Sequence, residues 1–301
     1  MLEAVPNVSE GRDGAVVAEI GRAFGSRAAV LDVHSDPDHN RSVFTLAGTA
    51  ADVESALVAG VRRSLELIDL RTHSGVHPRV GAVDVVPVVP IEPRRDVEES
   101  ARATGLAVAR RIASELALPV FLYGDIGRGR RPAFFRRGGP EELQRRVDAG
   151  ELEPDIGPRR LDPRSGAVLV GVRPFLVAYN VVLSTDDVDV ARSIAEAVRE
   201  SSGGLPGVQA IGVDLPLRER AQVSMNVIDV DRTPLHDVVQ RVAAVAAAQG
   251  VGVEGGELVG LVPESVFSAM NAVGAHVQGV DTSHVLERRL AGLLSGEESN
   301  V

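Results

Sequence analysis

Cysteine is absent from the 301-residue sequence. Disulfides and thiolate catalysis are therefore excluded, and the composition suits a reducing, cytoplasmic setting. Lysine is absent as well, and all 32 basic residues are arginine. Schiff-base lysines and phosphate-loop lysines are thereby ruled out. Tryptophan is missing and aromatics make up only 3%, too few for a platform that stacks single-stranded nucleic acid. The 32 basic residues face 42 acidic ones, a formal charge of −10. Such a chain has little general attraction for a phosphate backbone, so no nucleic-acid partner is expected. No stretch approaches the ~18 consecutive apolar residues of a membrane span. The opening Met1-Leu2-Glu3-Ala4-Val5-Pro6 lacks the basic and apolar regions of a secretion signal.

What is present reads as an α/β protein in two halves. Apolar residues are 44% and charged residues 25%, as in ordinary globular chains long enough for two domains. The first half alternates in type: a strand over 3–9, a helix over 14–25, and strands over 28–33 and 41–47. A helix over 50–68 follows, in which Leu57, Val61, Leu65 and Ile68 recur at helical spacing. Then come a strand over 83–89, a helix over 96–116 and a strand over 119–123. The second half predicts strands over 175–183, 208–213, 222–230 and 257–262, with helices over 186–200 and 234–250 and closing helical segments over 264–272 and 283–294. Both halves follow a β-α-β-β-α-β order, the split βαβ pattern. The fold expected is two similar subdomains, each a mixed sheet with helices on the outer face.

Residues 125–167 break this rhythm. They are rich in Gly, Pro and Arg, with one possible helix over 140–149. A connection this long is usually functional or a linker. Within it Arg128, Arg130, Arg131, Arg136 and Arg137 fall in ten residues without an acid. That run reads either as a solvated basic loop or as an anion site, with Arg159, Arg160 and Arg164 just downstream.

The densest group of polar signals is Arg71-Thr72-His73-Ser74-Gly75-Val76-His77-Pro78-Arg79-Val80-Gly81-Ala82-Val83-Asp84. His73 and His77 have the spacing of a zinc-binding helix. Gly75 and Pro78 disfavour a helix there, and no glutamate follows His73, so no metal is expected. Histidines on a loop at the mouth of an apolar strand are candidates for acid–base chemistry. Asp36-Pro37-Asp38-His39-Asn40 fails as a calcium loop, because Arg41 and Ala47 stand where Gly and Glu are required. Gly124-Asp125-Ile126-Gly127-Arg128-Gly129 opens no helix and is discounted as a dinucleotide loop.

Several stretches together resemble the formiminotransferase family. They are Val5-Pro6-Asn7-Val8-Ser9-Glu10-Gly11, Asp38-His39-Asn40-Arg41-Ser42-Val43, His77-Pro78-Arg79-Val80-Gly81-Ala82-Val83-Asp84, Pro119-Val120-Phe121-Leu122-Tyr123-Gly124, Pro154-Asp155-Ile156-Gly157-Pro158, Phe175-Leu176-Val177-Ala178-Tyr179-Asn180 and Glu257-Leu258-Val259-Gly260-Leu261-Val262-Pro263. They occur in family order over residues 1 to about 270. The resemblance implies two α/β subdomains, 1–175 and 176–296, meeting at a ligand cleft, with a flexible tail at 297–301. It also implies a cytoplasmic homodimer without metal. The implied activity is transfer of the formimidoyl group of N-formimino-L-glutamate to N5 of tetrahydrofolate, a co-substrate, in histidine degradation, with 5-formyltetrahydrofolate as a further substrate. His77 matches the catalytic position. Folate binding maps to Gly157-Pro158-Arg159-Arg160-Leu161-Asp162-Pro163-Arg164-Ser165-Gly166, with Arg79 and Asn7 as further ligand contacts and His34 and Asp84 as catalytic support.

Three positions depart from the family pattern. Val76 stands where the family has Glu, His34 where it has Asp, and Pro174 where it has a basic residue. Two alternatives therefore stay open: a folate-binding relative without turnover, and a transferase with a different one-carbon donor.

Overall fold

The computed structural model describes residues 1–295; the tail expected over 297–301 lies outside them. The chain divides into two compact units, with the boundary between Pro174 and Phe175.

The first unit runs β1 (Leu2–Ala4), β2 (Asn7–Val8), α1 (Gly14–Phe24), β3 (Ala29–Asp36), β4 (Arg41–Gly48), α2 (Ala50–Leu67), β5 (Val83–Pro90), α3 (Arg95–Leu116), β6 (Val120–Gly124), α4 (Pro132–Arg136), α5 (Gly139–Asp148) and β7 (Val168–Val172). Its strands form one sheet. The short β1 and β2, broken at Val5-Pro6, both lie antiparallel between β4 and β5. β3 flanks β4, and β5, β7 and β6 run parallel at the other side. Residues 168–172, to which the sequence pattern assigns no element, enter as a strand between β5 and β6.

Local chemistry explains the helices. Asp13 caps α1 by accepting from the amides of Ala15 and Val16. Thr49 caps α2 by accepting from the Asp52 amide. α2 buries Val53, Leu57, Gly60, Val61 and Ser64, a stripe at three- and four-residue spacing. α1, α2 and α3 share one core with one face of the sheet. Alternate residues of the parallel strands serve the opposite face. Phe121, Tyr123 and Leu169 join Phe135 of α4 and Leu143 and Val147 of α5 in a second core, while Leu122 and Val170 belong to the first. The Arg-rich stretch thus contains two helices and is anchored by apolar side chains.

The second unit runs β8 (Val177–Leu183), α6 (Val188–Val198), β9 (Val208–Leu215), β10 (Arg220–Val227), α7 (Leu235–Ala248), β11 (Val253–Val259), α8 (Glu264–Ala272) and α9 (Leu286–Ser295). The sheet order is β11-β8-β10-β9, antiparallel throughout. In chain order that is fourth, first, third, second. The first unit repeats the scheme, with β1 and β2 sharing the place of its first strand. A split βαβ motif therefore occurs twice, as the element order predicts.

Candidate active site

The polar stretches singled out in the sequence converge at one end of the first sheet. The loop between β3 and β4 supplies His39 and Asn40, β4 begins with Arg41, and the loop before β5 carries His73 through Val80. Asn40 ties three segments together. Its Oδ1 accepts from the Gly11 amide at 2.9 Å, and its Nδ2 donates to the Ser74 carbonyl at 2.9 Å. Asn40 adopts a φ of 45°, a left-handed conformation that asparagine tolerates better than most residues. Gly75 is needed for close approach: a Cβ there would stand 2.4 Å from the His39 carbonyl oxygen.

Asp84, fully buried on β5, is the electrostatic centre. Its Oδ2 accepts from Arg41 Nη1 and from Arg136 Nη2, each at 2.6 Å. Its Oδ1 accepts from the Val80 amide at 3.0 Å. Burial works to raise the Asp84 pKa, but Arg136 and Arg41 prevail and hold the carboxyl below its ordinary value. Arg41 also donates to Asn7 Oδ1 through Nε at 3.0 Å and Nη2 at 2.6 Å. Burial, only partly offset by Asp84, pulls the Arg41 pKa down to about 10.

His77 is half-buried beside this cluster. Its Nδ1 lies 3.1 Å from Arg41 Nη1 and 2.7 Å from the Pro78 carbonyl oxygen. The shorter contact fits Nδ1–H donating to the carbonyl, which leaves Nε2 with its lone pair. Nε2 makes no hydrogen bond to any described residue. The His39 ring stacks at a centroid distance of 5.7 Å. Burial, then Arg41, Arg136 and His39, holds the His77 pKa well below that of an ordinary histidine, so the ring is neutral at pH 7. His77 is thus a neutral imidazole with one free nitrogen, set in a positively charged surround.

Arg79 fixes the loop. It donates to the carbonyls of His39 at 3.0 Å, His77 at 2.9 Å and Asn40 at 3.3 Å, and it lies against the ring of His73. His73 is thereby confined, and burial followed by Arg79 pushes its pKa down to about 4.

The segment 157–166 runs directly beside the His77 loop. Gly166 bridges to Gly81, and Ser165 accepts from the Ala82 amide at 2.9 Å. Gly166 has a φ of 69°, and a Cβ there would meet the Val80 carbonyl at 2.2 Å. Within the segment, Arg159 donates to Glu153 at 2.5 Å, and Arg164 reaches the Glu66 carbonyl at 2.8 Å. Arg160 makes no hydrogen bond to a described residue. His34 stands apart from this arrangement. It pairs opposite Val43 on β3 with Nε2 buried and unbonded, and no hydrogen bond joins it to His77.

Sequence reasoning missed the roles of Arg41, Arg136 and His39. Arg41 and His39 lay inside a quoted motif, and Arg136 inside the basic run. Of that run, Arg130 pairs with Asp155 at 2.9 Å and Arg136 pairs with Asp84. Among the described residues, no group of three or more His, Asp or Glu side chains is arranged to hold a metal ion.

These features bring a neutral imidazole and three guanidinium groups together at one end of the first sheet. Comparison with known proteins places the chain in a family. Residues 1–173 match the formiminotransferase domain, N-terminal subdomain, and residues 178–288 match the formiminotransferase domain. The chain is 35% identical to the glutamate formimidoyltransferase of Thermoplasma acidophilum, over 96% of this chain and 97% of that protein. It is 38% identical to the glutamate formimidoyltransferase of Streptococcus pyogenes serotype M1, over 97% and 99% respectively. With the formimidoyltransferase-cyclodeaminase of Gallus gallus it shares 39% identity over 89% of this chain but only 51% of that protein. The chain belongs to the formiminotransferase family.

Proposed function

We propose that the protein transfers the formimidoyl group of N-formimino-L-glutamate to N5 of tetrahydrofolate. The observation that carries this reading is the neutral His77 with its free Nε2, held against arginines of which two share the Asp84 carboxylate. Both substrates carry glutamate carboxylates, which suit such a cluster. The unengaged Arg160 on the segment beside His77 suits the glutamate tail of a folate held along Gly157 to Gly166.

Tetrahydrofolate supplies N5 as the nucleophile. His77 Nε2 takes the proton that N5 releases as the bond from N5 to the formimidoyl carbon forms. The Pro78 carbonyl, 2.7 Å from Nδ1, is placed to accept from Nδ1–H, the tautomer that leaves Nε2 free for this step. The imidazolium then returns its proton to the glutamate nitrogen as the bond from that nitrogen to the same carbon breaks. One proton is borrowed and returned, so no net acid or base is consumed. Burial, together with Arg41 fixed by Asp84 and Asn7, keeps His77 neutral before the first step. Arg79 ties the His77 carbonyl to the carbonyls of His39 and Asn40 in the neighbouring loop.

The test is direct. Purified protein is mixed with N-formimino-L-glutamate and tetrahydrofolate, and release of glutamate is followed. Glutamate and 5-formiminotetrahydrofolate should appear in equal amounts over many turnovers. Folded protein that binds folinic acid yet releases no glutamate would instead be the non-catalytic relative.

A further inference from the structure

Three guanidinium groups lie around His77, and two of them share a single carboxylate. Arg41 and Arg136 share Asp84. Arg79 is spent on neutral carbonyls and the His73 ring. A partly buried cluster with surplus positive charge is costly until an anion joins it. Burial chiefly, with neighbouring arginines adding to it against Asp84, pulls the Arg41 and Arg79 pKa values down to about 10.

The three arginines differ in what they have left to offer. Arg41 uses all three nitrogens, on Asp84 and Asn7. Arg79 directs both terminal nitrogens to loop carbonyls. Arg136 gives Nε and Nη2 to Asp84, and its Nη1 makes no hydrogen bond to a described residue. Its side chain is 17% exposed, against 10% for Arg41 and none for Asp84. Arg136 is therefore a member of the cluster with a terminal donor nitrogen left for a ligand.

Its placement is firm. Arg136 ends the five-residue α4. Phe135 is buried against Phe121 at a centroid distance of 5.4 Å, and Arg146 donates to the Phe134 carbonyl at 2.9 Å. The guanidinium is thus delivered by a pinned segment rather than a free loop.

Resting on the formimidoyl-transfer reading, we propose that Arg136 is a specificity-determining residue that pairs with the α-carboxylate of the one-carbon donor through Nη1. The donor is favoured over the folate by its own chemistry. Its α-carboxylate sits on the carbon that bears the reacting nitrogen, so it must lie close to His77 in any productive pose. The glutamate of a folate is separated from N5 by an aromatic ring and its linkers. Arg136 then stands between two carboxylates, Asp84 and the donor, while Arg41 shares the Asp84 Oδ2 with it.

Removing Arg136 does not orphan Asp84, because Arg41 remains on it. Arg136→Gln should therefore fold, and Arg136→Lys serves as a second variant that keeps the charge but loses the planar fork. Two readouts are used. The first is kcat/KM for N-formimino-L-glutamate and for its α-carboxamide. The second is calorimetric binding of L-glutamate and L-isoglutamine, which needs no turnover. The wild-type protein should favour the acid over the amide by roughly 100-fold in both, as expected for a partly buried charge pair. Arg136→Gln should bring that ratio to within about 3-fold, chiefly by weakening the acid, with Arg136→Lys between the two. Folinic acid affinity should stay unchanged. A ratio that survives in Arg136→Gln, or a loss confined to folinic acid, would overturn the proposal. Glutamate binding that depends on Arg136 in a protein without transferase activity would refute the functional reading and leave the carboxylate site standing.

Discussion

Asp84 does not touch His77; Arg41 stands between them. Its Nη1 donates to Asp84 Oδ2 at 2.6 Å and lies 3.1 Å from His77 Nδ1. A carboxylate in direct contact would raise the imidazole pKa and favour the charged ring. An interposed guanidinium does the opposite and keeps the ring neutral. The carboxylate instead orders the two arginines, and the arginines set the charge that His77 feels.

This arrangement makes Asp84 the most fragile point of the site. Asp84→Asn removes the carboxylate that two partly buried guanidiniums share, and leaving a buried charge unpaired costs about 3–5 kcal/mol. Urea denaturation should show that loss. Adding Arg136→Gln to Asp84→Asn should recover part of it, since one of the two orphaned cations is then gone. Additive losses in the double variant would contradict the shared-carboxylate picture.

The segment 157–166 yields a prediction about its three arginines. Arg159 and Arg164 are engaged with Glu153 and the Glu66 carbonyl, whereas Arg160 is unengaged. Arg160→Ala should weaken folinic acid binding by about 5-fold, the scale of one exposed charge contact. Arg159→Ala and Arg164→Ala should change that affinity less and lower thermal stability instead. Calorimetry and melting curves on the three single variants decide it. The folate assignment of this segment fails if all three leave the affinity unchanged.

Stability should depend on pH through the two confined histidines. The folded pKa of His73 is pushed down to about 4 and that of His77 is also held low, whereas a free histidine titrates near 6.5. Below pH 6.5 the unfolded chain binds protons that the folded chain refuses. The histidine contribution is therefore fully present above pH 6.5 and is lost as pH falls from 6.5 toward 4. Urea midpoints should be level from pH 8 to 6.5 and then decline. His73→Gln should soften the decline. A midpoint that holds steady down to pH 4.5 would show that neither ring is confined as described.

Much of the fold was legible because its elements carry clean periodicity. α2 shows its buried stripe in Leu57, Val61 and Leu65, and β5 its β-branched run. β7 was not legible. Val168-Leu169-Val170-Gly171-Val172 is apolar on both faces, as a strand between two parallel neighbours must be, so it offers no alternation to read. β11 was placed too late, because Val253-Glu254-Gly255-Gly256 looks like a loop. Gly256 is there because a Cβ would meet the Tyr179 hydroxyl at 1.8 Å. The site was legible only in part. The His77 loop and the 157–166 segment stood out by composition and family resemblance. The contacts among Arg41, Asp84 and Arg136 join residues 43 and 52 positions apart. No local pattern encodes such a pairing, and the basic run did not reveal which arginine turns inward.

The central claim is that His77 shuttles the proton. Turnover and folinic acid affinity should be measured side by side for His77→Ala and His73→Ala. A general acid–base group contributes roughly 10²–10⁴-fold in rate. His77→Ala should therefore cut kcat by about that factor while folinic acid binding stays near the wild-type value, and His73→Ala should cost far less. Near-normal turnover in His77→Ala, or a larger loss in His73→Ala than in His77→Ala, would contradict the assignment.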